Sequence, residues 1–192
     1  MKIGLTGGIG CGKSTVVRFF EAAGWRAIDS DAIVRRLLTE NMEVREALRE
    51  RWGDAVFLTE GMVDRTALAE RVFSDDNELD WLEQLLHPLV REVWTSEVEA
   101  RPEADWLVEI PLLFEKKLEN YFDLVVCVSS PLEIAAKRLT EKGYTEARIE
   151  RRRRRQMALE EKVRRADIVL TNAGSLEFLK QQIELCMKRI RN

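Results

Sequence analysis

The chain has 192 residues, 45% of them apolar and 34% charged, enough to bury a sizeable core as one domain carrying an insertion. Thirty-four acids against 31 bases leave a net charge of −3, which gives no overall attraction to nucleic acid or to an anionic membrane. No run approaches the roughly 18 apolar residues of a membrane span, no charged n-region precedes an apolar stretch at the start, and Cys11, Cys127 and Cys186 show neither zinc-type nor disulfide-framework spacing, so a soluble, unexported protein of a reducing cytoplasm is expected.

In chain order, "KIGLT" (2–6) reads as a first strand and runs into the glycine-rich stretch "GGIGCGKST" (7–15). From Ser14 a helix carries the apolar stripe Val16, Val17, Phe20 and Ala23 and stops at Gly24, a C-terminal cap. "RAID" (26–29) is a second strand. Residues 32–104 are helical in pattern, far more than one crossover helix requires, and predict an insertion beside the sheet. "DWLVEI" (105–110) and "DLVVCV" (123–128) are the third and fourth strands. After them, Ser130, Pro131 and Glu133 spell a capping box with proline at the first helical position. "DIVLT" (167–171) is the fifth strand, and the last helix sets Leu176, Leu179, Ile183 and Ile190 on one side. Strands apolar on both faces, alternating with helices, predict a five-stranded parallel sheet covered on each side, an α/β three-layer architecture.

Gly7, Gly12, Lys13 and Ser14 satisfy G-x-x-x-x-G-K-[ST] between a predicted strand and a predicted helix, the P-loop pattern of P-loop NTPase-type folds. Glycines, here with Gly8 and Gly10 among them, let the backbone wrap a polyphosphate and aim successive N–H groups at its oxygens, and the helix that follows turns its positive end the same way. Lys13 is matched to the β- and γ-phosphates and the Ser14 hydroxyl to Mg²⁺, with Cys11 and Thr15 completing the ATP-binding loop. For Cys11 two readings stand, a small filler in the loop or a thiol activated by the helix terminus. No guanine-reading NKxD element follows, and the length leaves little room for motor or transporter domains, which favours a small kinase. A kinase acting on an alcohol needs a carboxylate to take the hydroxyl proton. Asp31, just past the second strand, is the candidate, with helix capping as its alternative.

The stretches "GLTGGIGCGKST" and "IDSDAIVR" resemble the dephospho-CoA kinase family. So do "GMVDRTALAERVF", "LLHPLVR", "EIPLLFE" and "ADIVLTNAG", and the six segments run in the family's order from residue 4 to residue 174. The resemblance implies a P-loop kinase core over residues 1–192, with an acceptor-binding helical insertion at 32–104 and a lid at 138–165. It implies transfer of the γ-phosphate of ATP, with Mg²⁺, to the ribose 3′-hydroxyl of dephospho-CoA, the final step of coenzyme A biosynthesis. Asp31 matches the catalytic base and Asn172 the late nucleotide-binding asparagine. For Asp29, a strand-end hydrogen-bonding role and a direct role stand side by side. In "RLTEK", Arg138 is kept as a catalytic arginine but Lys142 replaces a second one, supplying charge without a bidentate fork.

Between Lys137 and Arg165, twelve Lys/Arg face five Asp/Glu. As a lid this stretch would stabilise charge on the transferring group, with Gln156 matching the family's lid glutamine. The run Arg151 to Arg155 cannot share one helix face, so most of it is expected in solvent. His87, the only histidine, is either an acceptor contact or a hydrogen-bonded structural residue. Arg65 and Arg91 either meet the acceptor's pyrophosphate or nucleotide, or pair with surface acids. Glu109 and Glu115 flank "IPLLF" and are candidates for acting on Mg²⁺ through water. Another small-molecule or nucleoside P-loop kinase, and a nucleotide-binding module without transfer activity, are the competing functions.

Overall fold

The computed structural model describes residues 1–191, for residue 191 the backbone alone. Five strands, β1 (Lys2–Gly7), β2 (Arg26–Asp29), β3 (Trp106–Glu109), β4 (Leu124–Ser129) and β5 (Ile168–Thr171), form one parallel sheet in the order β2-β3-β1-β4-β5. All five coincide with predicted strands. Parallel neighbours require crossovers: α1 (Lys13–Ala22) follows β1, α6 (Leu132–Glu141), α7 (Glu146–Arg154) and α8 (Leu159–Arg165) follow β4, and α9 (Leu176–Arg191) follows β5, whereas β3 reaches β4 through turns and a short 3₁₀ segment at Glu119–Tyr121. The sheet core and the segments from Met1 to Asp29 and from Pro102 onward form one compact unit; Ser30–Arg101 form a second.

The centre of the sheet explains the first unit. Ile3 and Leu5 of β1, fully buried, pack with Leu107, Val126, Val128 and Leu170 against Val16 and Phe20 of α1 and Leu179 and Ile183 of α9. The alternate residues of β1 point to the other layer, as a two-residue period demands. There a Cβ on Gly4 would stand 2.6 Å from Leu113 Cδ1 and 2.8 Å from a Phe122 ring carbon, so glycine lets the segment after β3 lie directly on the strand. Helix α1 ends as its sequence signals: Gly24 N donates to Glu21 O at 2.9 Å and Trp25 N to Phe20 O at 3.1 Å, the two bonds of a Schellman cap.

Two local expectations fail. Ser130 does not cap α6; the helix starts at Leu132, Pro131 occupies the cap position, and no side chain there accepts a helix N–H. The Ser130 hydroxyl instead donates to Asn172 O and accepts from Arg138. Leu176 lies at the first position of α9, before the stripe meets the sheet, and stays 65% exposed, while Cys186 takes its place on the buried side.

The second unit consists of α2 (Ser30–Glu40), α3 (Met42–Trp52), α4 (Arg65–Ser74) and α5 (Asp76–Glu99), with a 3₁₀ turn at Gly53–Val56. Side chains mark the starts: Asn41 accepts Val44 N at 2.9 Å, Asp64 accepts Thr66 N at 2.9 Å, and Asp75 accepts Asn77 N at 2.9 Å. Glu78 of α5 accepts the Trp52 indole N–H at 2.9 Å and is gripped by both ends of the Arg51 fork at 3.0 and 3.3 Å. That hydrogen bond from Arg51 holds the Glu78 carboxyl below the ordinary carboxylate range. Among the described residues no helix is long and apolar enough to cross a membrane.

Candidate active site

The glycine stretch closes at the carboxyl end of the central strand. Gly10 and Gly12 have φ of 75° and 94°, left-handed values that favour glycine. A Cβ on Gly10 would meet Ala135 O at 2.6 Å, and one on Gly12 would run into the Asn172 amide. The loop is crossed by Cys11 N donating to Gly8 O at 3.2 Å, and α1 begins with Thr15 N donating to Gly12 O at 3.0 Å. Among the described residues, the N–H groups of Gly10, Gly12, Lys13 and Ser14 have no hydrogen-bond partner. Four donors at one helix start form an anion-binding concavity. Lys13, nearly buried, donates to Gly7 O at 3.3 Å and Gly8 O at 3.2 Å, so its ammonium is fastened to its own loop with one of three protons left over. Ser14 is exposed and Thr15 half-buried at the same helix start.

Beneath the loop lies a polar floor. Buried Asn172 donates from Nδ2 to Cys11 O at 2.9 Å and from its main chain to Ser129 O at 2.7 Å. Arg138, in the last turn of α6, donates to Ser130 Oγ at 3.0 Å and to Asn172 Oδ1 at 3.3 Å. Thus Asn172 and Arg138, far apart in sequence, meet under the loop. The Cys11 side chain is only 2% exposed, and burial pushes its thiol up despite the opposing pull of Lys13. Burial and a raised thiol pKa favour the reading of Cys11 as a small filler in the loop.

A cleft of about 810 Å³ opens beside the loop, within the range of small-ligand sites. Gly8, Ile9 and Cys11 form one side, Ser129 to Leu132 and Thr171 another, and Gln156 to Glu160 with Val163 the third. Arg153, Arg154 and Arg164 also line it. The arginine run divides as a turn of about 100° per residue requires. Arg153 and Arg154 both bond Glu150, at 2.9 and 3.3 Å, whereas Arg152 lies 5.5 Å over the Tyr144 ring, which Arg148 also covers at 4.5 Å. Gln156 Oε1 accepts Ile9 N at 3.1 Å, joining the segment after α7 to the glycine loop. Lys142 is the C-terminal cap residue of α6.

Asp29 ends β2, and Asp31 is the exposed second residue of α2, inside the helix rather than at its cap. The boundary between the two units falls between Asp29 and Ser30. In the helical unit, Arg65 opens α4 and Arg91 lies on α5, both exposed. Among the described residues neither guanidinium has an ion-pair or hydrogen-bond partner. His87 is half-buried on α5, one residue before Pro88.

Sequence reasoning missed Lys162 and Gln182. Lys162 is fully buried, with its ammonium 2.8 Å from Glu115 Oε1 and 2.6 Å from Pro111 O. Glu115 is therefore an ion-pair partner of Lys162, not an open carboxylate. Burial pushes the Lys162 ammonium below its usual range, against the pull of Glu115. Its signal was present: Leu159, Lys162 and Val163 share one helix face at i, i+3, i+4 spacing, which places a lysine on an apolar stripe. Gln182 of α9 accepts Thr171 N at 2.9 Å and donates to Thr171 O at 2.8 Å, completing the edge of β5 just before Asn172.

A family model described as Dephospho-CoA kinase matches residues 1–177. A dephospho-CoA kinase of Deinococcus radiodurans is 43% identical over 98% of this chain and 92% of its own length. Among solved structures, TT1252 from Thermus thermophilus is 40% identical with a TM-score of 0.83, over 99% of this chain and 97% of that one. A dephospho-CoA kinase from Campylobacter jejuni is 26% identical with a TM-score of 0.72, over 99% and 98%.

Proposed function

Because the chain belongs to the dephospho-CoA kinase family and is an ATP-dependent kinase of dephospho-CoA, we propose that its glycine loop holds the ATP phosphates while Asp31 takes the proton of the accepting hydroxyl. The reaction moves the γ-phosphate to the ribose 3′-hydroxyl, the closing step of coenzyme A biosynthesis. The observation that carries the assignment is the set of four undirected N–H groups, from Gly10, Gly12, Lys13 and Ser14, beside a cleft of about 810 Å³. Backbone dipoles fixed in advance stabilise developing phosphoryl charge without reorganising. Gly7 and Gly8 shape the loop, Thr15 and Cys11 complete it, and Asn172 braces it from below.

Lys13 adds a positive charge already oriented by two carbonyls, so it meets a β- or γ-oxygen at little entropic cost. Arg138, fixed by Ser130 and Asn172, contributes a second positive charge beneath the loop. Among the described residues no group of three or more His, Cys, Asp or Glu is arranged to hold a metal ion. The Ser14 hydroxyl with nucleotide oxygens fits Mg²⁺, which when bound neutralises charge on the β- and γ-phosphates. In the helical insertion, residues 32–104, Arg65 and Arg91 serve the anionic groups of dephospho-CoA, with His87 as a further acceptor contact; their unpaired guanidinium groups support this. The basic stretch 138–165 serves as a lid that keeps water from competing as acceptor. Three free, buried cysteines support a reducing compartment, the cytoplasm.

The test is acceptor dependence. Purified protein with ATP and Mg²⁺ is expected to release ADP only when dephospho-CoA is added, with the new phosphate on the ribose 3′-hydroxyl of the product. ADP release at the same rate without acceptor, or with an unrelated alcohol, contradicts the assignment.

A further inference from the structure

Lys162 and Glu115 take no part in the phosphate chemistry assigned above, yet Lys162 is fully buried and its charge must be compensated. The Lys162 ammonium satisfies itself on Glu115 Oε1 and Pro111 O. The same carboxylate oxygen accepts Met157 N at 2.7 Å. Glu115 Oε2 is buried with no hydrogen-bond partner, an arrangement that serves stability poorly. One residue before Met157, Gln156 accepts Ile9 N of the glycine loop, and Met157, Leu159 and Val163 form a wall of the cleft. Farther along α8, Arg165 pairs with Glu119 and lies 4.6 Å over the Phe114 ring. The segment Pro111 to Glu119 is thereby tied to both ends of the wall.

A buried ion pair is a weak source of stability, since an apolar pair of similar volume is often as good or better. An apolar pair cannot, however, accept the Met157 N–H. We propose that Glu115, oriented by Lys162, is a positioning residue for ATP. It fixes the main chain at Met157 and, through the adjoining Gln156, holds the glycine loop at Ile9. This rests on the reading that the cleft holds ATP.

The experiment measures the Kd of ATP by calorimetry, the KM of both substrates and the thermal midpoint in Glu115→Gln, Glu115→Leu, Lys162→Met and the double variant Glu115→Leu/Lys162→Met. Glu115→Gln keeps an acceptor for Met157 N and is expected to bind ATP within about twofold of the parent, whereas Glu115→Leu raises the Kd and KM of ATP about tenfold and leaves the KM of dephospho-CoA within about twofold. The double variant is expected to recover the thermal midpoint lost by the single ones while keeping the raised Kd of ATP. If the double variant regains parental ATP affinity together with its stability, the pair serves folding alone and the proposal is wrong. Should Glu115→Leu fail to fold, the double variant decides. A parent protein that does not bind ATP would instead overturn the assignment of the cleft.

Discussion

Gly12 joins two constraints in one residue: a φ of 94° and an Asn172 amide packed where a side chain would begin. A non-glycine residue held in that left-handed region costs about 1–2 kcal/mol before any clash is counted. Gly12→Ala is therefore expected to lower the thermal midpoint and to raise the Kd of ATP by at least about tenfold, because the displaced neighbour is the asparagine that braces the loop. Calorimetry with ATP on folded protein measures the second effect separately from the first. Lys13→Ala is expected to weaken ATP binding itself, and the same titration checks it. At the thiols, burial pushes Cys127 and Cys186 up to about 11 and Cys11 above its ordinary value. A disulfide reagent at pH 8 is expected to find no fast-reacting thiol in the native protein and three after unfolding. Rapid modification of Cys11 would revive the activated-thiol reading. Motif residues such as Gly12 and Lys13 were legible in the sequence because the loop's chemistry depends on residue type at fixed spacing. Asn172's floor contacts were not, since they join distant residues, the one to Cys11 across 161 positions.

At the scale of elements, the strands were legible because a buried parallel strand is apolar on both faces, and Gly24 marked the end of α1 because a Schellman cap needs its φ. The capping box at Ser130 misled because local spacing cannot register a long-range competitor. Asn172 O and Arg138 claim the hydroxyl instead. Lys162 was missed for a similar reason: its place on an apolar stripe was legible, but within a basic stretch its charge resembled solvent-facing neighbours, and its partner, the half-buried Glu115, is distant in sequence. In the helical unit, the Arg51–Glu78–Trp52 contact gives a pH test. The folded Glu78 carboxyl lies below its unfolded value, so the unfolded chain takes up this proton first as pH falls. The stabilisation is present above the unfolded value and is lost as pH drops through the folded one. Glu78→Gln is expected to lower the thermal midpoint at pH 7, with the gap to the parent narrowing below about pH 4. A gap unchanged across that range would remove Glu78's charge from the stability of this unit.

For the whole molecule, a net charge of −3 conceals a basic stretch whose Arg153, Arg154 and Arg164 line the cleft. Charge at the mouth of a cleft draws an anionic nucleotide, and salt screens it over about 8–10 Å. ATP affinity is accordingly expected to fall as ionic strength rises, and a Kd independent of salt would count against these arginines. The helical excess between β2 and β3 was visible in the sequence as pattern exceeding one crossover; Ser30–Arg101 form a compact unit of their own. The exposure of Arg65 and Arg91 and the half-buried position of His87 were not visible there, because burial on a helix depends on what packs against it. Because we assign phosphate binding to the glycine loop and proton acceptance to Asp31, the most direct measurement is a paired one: acceptor-dependent ADP release and ATP affinity in the parent and in Asp31→Asn. The expected result is turnover reduced by about 10² or more with the Kd of ATP nearly unchanged. Turnover in Asp31→Asn equal to the parent's would contradict the account.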